Sequence, residues 1–120
     1  MKTVILGASP NAHRYAYKAV QRLTAKGHEA IPVGIRKGNI EGIDIVQGKP
    51  ALEGIHTITL YINPTIQEDY FDYILSLHPK RIIFNPGTEN PKFYKLIQQE
   101  GPSIEIEVAC TLVMLAANTY

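Results

Sequence analysis

A single cysteine, Cys110, no tryptophan and no excess of either charge distinguish this chain more than anything it is rich in. One cysteine cannot close a bridge within the chain, which excludes a disulfide framework and fits a reducing, cytoplasmic setting. Twelve Lys and Arg against eleven Asp and Glu leave a formal net charge of +1, without the basic stripe on which a nucleic-acid binder depends. Long hydrophobic runs are missing too. The first apolar stretch, Thr3 to Leu6, stops at Gly7, too early for a signal peptide or a membrane span. His13, His28, His56 and His78 are dispersed, and no pair has the helical spacing of metal ligands. What is present is 120 residues, 45% of them hydrophobic: material for one core and one domain over 1–120, with pairing to a second copy as a size-based expectation.

Strand and helix patterns alternate along the chain. Thr3 to Leu6 reads as a buried strand, followed by the loop Gly7-Ala8-Ser9-Pro10. From Asn11, apolar residues at Ala12, Tyr15, Ala16, Ala19, Val20 and Leu23 predict an amphipathic helix, capped by Ser9 or Asn11 and ended at Lys26-Gly27. Glu29 to Val33 is a second strand closed by Gly34. Ile35 to Gly54 reads as mostly loop, with a brief strand near Asp44 to Val46 and a helical turn near Pro50 to Glu53. His56 to Ile62 predicts a strong strand stopped by Asn63-Pro64. Ile66 to Leu77 predicts a helix with Ile66, Tyr70, Tyr73, Ile74 and Leu77 on its inner face. Arg81 to Phe84 is the next strand, then come a helix from Pro91 to Gln99, a strand over Ile104 to Val108 and a terminal helix over Ala109 to Ala117. Strands separated by such helices imply right-handed crossovers and an α/β, Rossmann-like, doubly wound and mostly parallel sheet.

In an open parallel sheet, ligands bind beyond the carboxyl ends of the strands. That selects the loops Gly7 to Asn11, Val33 to Gly38, Ile62 to Thr65 and Asn85 to Asn90. The first is suited to phosphate: Gly7 permits close backbone approach, Ser9 supplies a hydroxyl and the following helix points N–H groups outward. An ordinary strand-to-helix turn would use the same residues. Arg14 adds a cation in the first helical turn, favoured there by a bound anion, though a solvated surface role accounts for it equally. A dinucleotide fold usually places an acid at the end of its second strand to hold a ribose. Here the run is Ile31-Pro32-Val33-Gly34-Ile35, followed by Arg36 and Lys37, which suits a ribose-linked phosphate better than NAD and leaves NADP compatible. Asn63, Asn85 and Thr88 offer amides and a hydroxyl that could orient a ligand, and they are also common turn formers.

The residues Gly7-Ala8-Ser9-Pro10, Ile31-Pro32-Val33, Asn63-Pro64 and the late segment Cys110-Thr111-Leu112-Val113-Met114-Leu115 together resemble the small bacterial CoA-binding protein family. That family is itself similar to the CoA-binding domain of the succinyl-CoA synthetase α subunit. The resemblance covers nearly the whole chain and implies coenzyme A, or an acyl-CoA, lying across the strand ends. It implies that Gly7, Ser9 and Arg14 surround the phosphates and that Val33 and Lys37 meet the adenosine end; Ala8, Pro10, Gly34 and Arg36, in the same loops, complete the expected contacts there. By the same resemblance Asn63, Pro64, Asn85, Pro86 and Gly87 would follow the remaining ligand, and the adjoining Ile62 and Thr88 are expected beside it. Many relatives look like Pro-Val-Asn-Pro after the second strand, where this chain has Pro32-Val33-Gly34-Ile35. There is no room in 120 residues for the additional synthetase domain, so ligase activity is not implied. No base, acid or nucleophile is placed by the sequence: Cys110 opens the terminal helix, where a structural thiol is the simpler role. A non-catalytic binding or regulatory module is therefore the expectation. The alternative is a small NADP-dependent or acyl-CoA-processing enzyme.

Overall fold

Runs such as Thr3-Val4-Ile5-Leu6 and Ile82-Ile83-Phe84 are apolar on both faces, which suits strands covered on both sides. A computed structural model describes residues 1–120 and places these runs at the centre of a sheet. The strands are β1 (Lys2–Leu6), β2 (Glu29–Gly34), β3 (Asn39–Ile40), β4 (Ile43–Asp44), β5 (Val46–Gln47), β6 (Thr57–Leu60), β7 (Arg81–Phe84) and β8 (Glu105–Val108). The helices are α1 (Tyr15–Ala25), α2 (Pro64–Gln67), α3 (Phe71–Ser76), α4 (Pro91–Glu100) and α5 (Thr111–Ala116), with a 3-10 turn over Glu68–Tyr70.

Six strands form one parallel sheet in the order β5-β2-β1-β6-β7-β8, while β3 and β4 make a separate antiparallel ribbon. The order reverses between β1 and β6, where Leu6 pairs with Leu60 at the carboxyl edge. Alternation divides the core. Val4, Leu6, Ile58, Leu60, Ile82 and Phe84 meet Phe71, Ile74, Phe93 and Ile97 of α3 and α4 on one face. Ile5 and Ala30 meet Ala16, Val20, Leu23 and Leu115 of α1 and α5 on the other. The sheet is thus doubly wound, as its sequence predicts. No helix is long and apolar enough to cross a membrane.

Several expected elements are shorter or shifted. α1 begins at Tyr15 rather than near Asn11, because Ser9 and Asn11 act locally: the Asn11 amide donates to Ser9 Oγ at 3.1 Å and the His13 amide to Asn11 Oδ1 at 3.0 Å. These turns compete with helix, and neither side chain caps α1. Pro50 to Glu53 forms no helical turn; Tyr73 Oη donates to the Pro50 carbonyl at 2.6 Å and Lys2 Nζ to the Glu53 carbonyl at 2.7 Å, so both carbonyls are taken by distant side chains. The brief strand near Asp44 to Val46 is two pieces, β4 and β5, separated by the buried Ile45.

The helix expected over Ile66 to Leu77 is also divided: Ile74 and Leu77 are buried as expected, while the inner face of its first turns is displaced by one position. Gln67, Phe71 and Ile74 point inward, whereas Ile66 is 45% exposed. A glutamine takes a core position because its polar atoms are satisfied there. Gln67 Nε2 donates to the Ile62 and Thr88 carbonyls, both at 2.8 Å, and Asn90 Nδ2 donates to Gln67 Oε1 at 3.0 Å. β6 and α5 keep only the inner parts of their expected spans, and Cys110 is the half-buried N-cap of α5.

Candidate functional site

Glycine at two positions sets how closely the strand-end loops pack. A Cβ on Gly34 would lie 2.2 Å from the Ala8 carbonyl oxygen, so the end of β2 carries no side chain and the β1 loop rests directly on it. Gly7 has φ +101°, and a Cβ there would meet the Tyr61 backbone at 2.9 Å. The Gly7 and Ala8 amides both donate to the Val33 carbonyl, at 2.9 and 3.0 Å, and the Tyr61 amide donates to the Leu6 carbonyl at 2.8 Å. The close approach expected of Gly7 is therefore made first to the neighbouring chain segments. Past them, Ser9 Oγ accepts only from the Asn11 amide among these bonds and keeps its own hydrogen for another acceptor.

Above these ends lies a cleft of about 390 Å³, at the point where strand order reverses. Of the residues expected from sequence, Gly7, Ala8, Val33, Gly34, Ile62, Asn63, Pro86, Gly87 and Thr88 line it. Ser9, Pro10, Arg14, Pro64, Arg36 and Lys37 lie outside its wall, and Arg14, Arg36 and Lys37 are exposed. The Pro10 Cβ lies 2.8 Å from where a Gly38 Cβ would sit, which brings the far end of the Arg36-Lys37 loop against the β1 loop. Arg14 is the N-cap of α1 rather than part of its first turn, no side chain caps that helix, and its first turn contains no acid. The end of α1 thus offers its dipole to an external anion.

Asn63 and Asn85 are used differently. Asn63 is exposed and its Oδ1 accepts from the Ile66 amide at 2.9 Å, capping α2. Asn85 is buried and does not line this cleft: its Nδ2 donates to Thr59 Oγ1 at 2.6 Å and to the Leu60 carbonyl at 2.8 Å, while its Oδ1 accepts from the Thr111 amide at 2.9 Å. Its own carbonyl accepts from the Thr88 amide and hydroxyl at 2.9 and 2.8 Å. Asn85 therefore fixes the Pro86-Gly87 turn that forms one rim.

Sequence reasoning missed Leu6, Ile35, Tyr61, Ile66 and Tyr70, which complete the cleft. Ile35 and Ile66, 81% and 45% exposed, could have been found as apolar residues just past the strand ends, Ile35 within the selected loop after β2 and Ile66 in α2. Tyr61 has no such signal. Burial pushes its phenol up to about 12; the nearby Thr59 and Thr111 hydroxyls pull the other way, but they bond each other at 2.8 Å and leave the Tyr61 hydroxyl without a partner. Three histidines stand elsewhere: His28, His56 and His78 precede β2, β6 and β7, at the amino ends of the strands, opposite the cleft. Burial and the neighbouring positive charges hold His28 and His56 below the usual histidine range.

The chain is similar to several solved structures over nearly all its length. A crystal structure of an uncharacterized protein shares 52% identity with a TM-score of 0.94, covering 99% of this chain and 97% of that one. A hypothetical protein from Pyrococcus horikoshii OT3 shares 20% identity, TM-score 0.84, over 97% and 82% of the two chains. A protein from Thermus thermophilus shares 22% identity, TM-score 0.82, over 99% and 90%. The last two speak for the fold alone. No curated protein matches the chain. The family described as CoA binding domain matches residues 1–116, from the first strand through α5, and the chain belongs to that family.

Proposed function

We propose that this protein binds coenzyme A, free or acylated, across the carboxyl ends of β1, β2, β6 and β7, and serves as a binding or regulatory module without chemistry of its own. The observation that carries the reading is the cleft at the reversal of strand order, walled by two loops that a glycine contact locks together. The adenine would lie against Val33, Gly34 and Ile35, with Arg36 and Lys37 free at the rim to meet the ribose phosphate. The diphosphate would face the Ser9 hydroxyl, Arg14 and the open end of α1. The pantetheine would pass between Ile62-Asn63-Pro64 and Pro86-Gly87, with Asn85 and Thr88 holding the second turn in place. These residues suit CoA: two cations serve a third phosphate, and apolar and amide walls serve a long neutral arm.

A purely binding role is supported by where three of the histidines and Glu89 are. Three of the four histidines sit at the far end of the sheet, and the Glu89 carboxylate accepts from the Gly87 amide at 2.7 Å, tightening a turn. A cytoplasmic location, within reach of CoA, belongs to the same proposal.

Thermal unfolding with CoA, acetyl-CoA, dephospho-CoA, NADP and NAD tests it. CoA at a hundredfold excess over its dissociation constant should stabilise the fold by about 2.7 kcal/mol. Dephospho-CoA should do less, and Arg36→Gln with Lys37→Gln should narrow that difference. No response to CoA at millimolar concentration sinks the reading. A response to NADP alone, with reductase turnover, replaces it with the dinucleotide enzyme.

A further inference from the structure

A second hollow opens beside the cleft, on the side of β8. It has a volume of about 420 Å³ and is walled by Tyr15, Tyr61, Leu112 and Val113, with Pro86, Asn85 and Cys110 completing it. Tyr61 and Pro86 also wall the first cleft, so the two hollows are separated only by these residues at the ends of β6 and β7. Its chemistry is different. The Asn85 amide is already committed to Thr59, Leu60 and Thr111, which leaves the weak thiol of Cys110 and the tips of two tyrosines as the polar groups of an otherwise apolar wall. Two large apolar side chains stand open to solvent on its margin, Tyr15 at 68% and Val113 at 63%. Exposed apolar groups gathered at one hollow mark a site that something apolar covers.

Resting on the CoA reading, we infer that this hollow is the acyl subsite: the pantetheine crosses Pro86 and the linear apolar acyl chain of a CoA thioester lies among Tyr15, Leu112 and Val113. The shared wall of Tyr61 and Pro86 argues for an occupant that crosses it and reaches both hollows. A free thiol would leave the apolar walls wet, whereas each methylene of an acyl chain removes apolar surface from water on both sides of the contact. The protein would then distinguish acyl-CoA from CoA by chain length, without touching the thioester chemically.

Calorimetric titration with CoA and its acetyl, butyryl, hexanoyl and octanoyl thioesters reads this directly. The dissociation constant should fall about two- to fourfold per added methylene until the hollow is filled, and then level off. Val113→Asp and Tyr15→Ser, both at exposed positions, should flatten the series, with free CoA as the reference. A flat series in the unaltered protein that still binds CoA overturns the subsite and leaves the CoA reading standing. No binding of CoA or any thioester removes both. Sedimentation of the same samples gives the remaining outcome: a dimer that Val113→Asp dissociates, together with a flat series, assigns the hollow to a second copy and overturns the acyl reading.

Discussion

Asn63-Pro64 and Asn85-Pro86 are the same dipeptide after consecutive long strands of the sheet, yet one lies on the surface and the other holds the interior together. β6 ends at Leu60, so Asn63 lies three residues beyond the sheet, where its Oδ1 caps α2 and Pro64 starts the helix. β7 ends at Phe84, so Asn85 is the next residue and its amide remains among the strand ends, tying β6 to the first turn of α5. A third pair, Asn90-Pro91, does both: Asn90 Oδ1 caps α4 while its buried Nδ2 donates to Gln67 Oε1. An asparagine's role here depends on its distance from the strand end. The amide group is equally able to cap or to brace; burial decides which bonds must be made.

The largest test of this contrast is Asn85→Ala, which strands the buried Thr111 amide and removes two donated bonds. It should cost about 2–4 kcal/mol, read from the urea midpoint. Asn85→Asp should not rescue it, because an acceptor would face the Leu60 carbonyl. The adjoining Tyr61 gives a pH signature of smaller size. Its phenol ionises near 10 in the unfolded chain and near 12 when folded, so its contribution is complete below pH 10 and is lost as pH rises to 12. Roughly 2 kcal/mol should disappear over that window, and Tyr61→Phe should abolish this part of the loss. Next in size, Asn63→Ala should cost about 1 kcal/mol through the lost cap, with Asn63→Asp restoring it. Smallest is Tyr61→Phe at neutral pH. Removing a hydroxyl that is buried without a partner should leave stability unchanged or raise it by up to about 1 kcal/mol, the opposite sign to the Asn85 change next to it.

Much of the architecture is legible because buried strands and amphipathic helices carry period and composition that survive packing. Thr3 to Leu6, Arg81 to Phe84 and Pro91 to Gln99 are examples. Errors arise where polar side chains choose the conformation. Ser9 and Asn11 delay α1 through local turns, and Gln67 takes an inward position that an apolar pattern assigns to its neighbours. The cleft is legible in outline for the same reason: Gly, Pro and Asn concentrate at strand ends. Ile66 and Tyr70 enter it through the breaks between α2, the 3-10 turn and α3, which no period announces, and Tyr61 enters from the residue just past β6.

Residue types alone decide the alternation of strand and helix, the lack of a disulfide framework and the set of loops from which a ligand site must be drawn. They act through covalent geometry and hydrophobic period, which are local. The tertiary structure alone decides that Gly34 seats the Ala8 carbonyl, that Asn85 braces while Asn63 caps, and that Tyr61 and Pro86 stand between two hollows of different polarity. Each of these depends on which segments lie side by side in the sheet, and strand order is a property of packing that no single stretch of sequence contains.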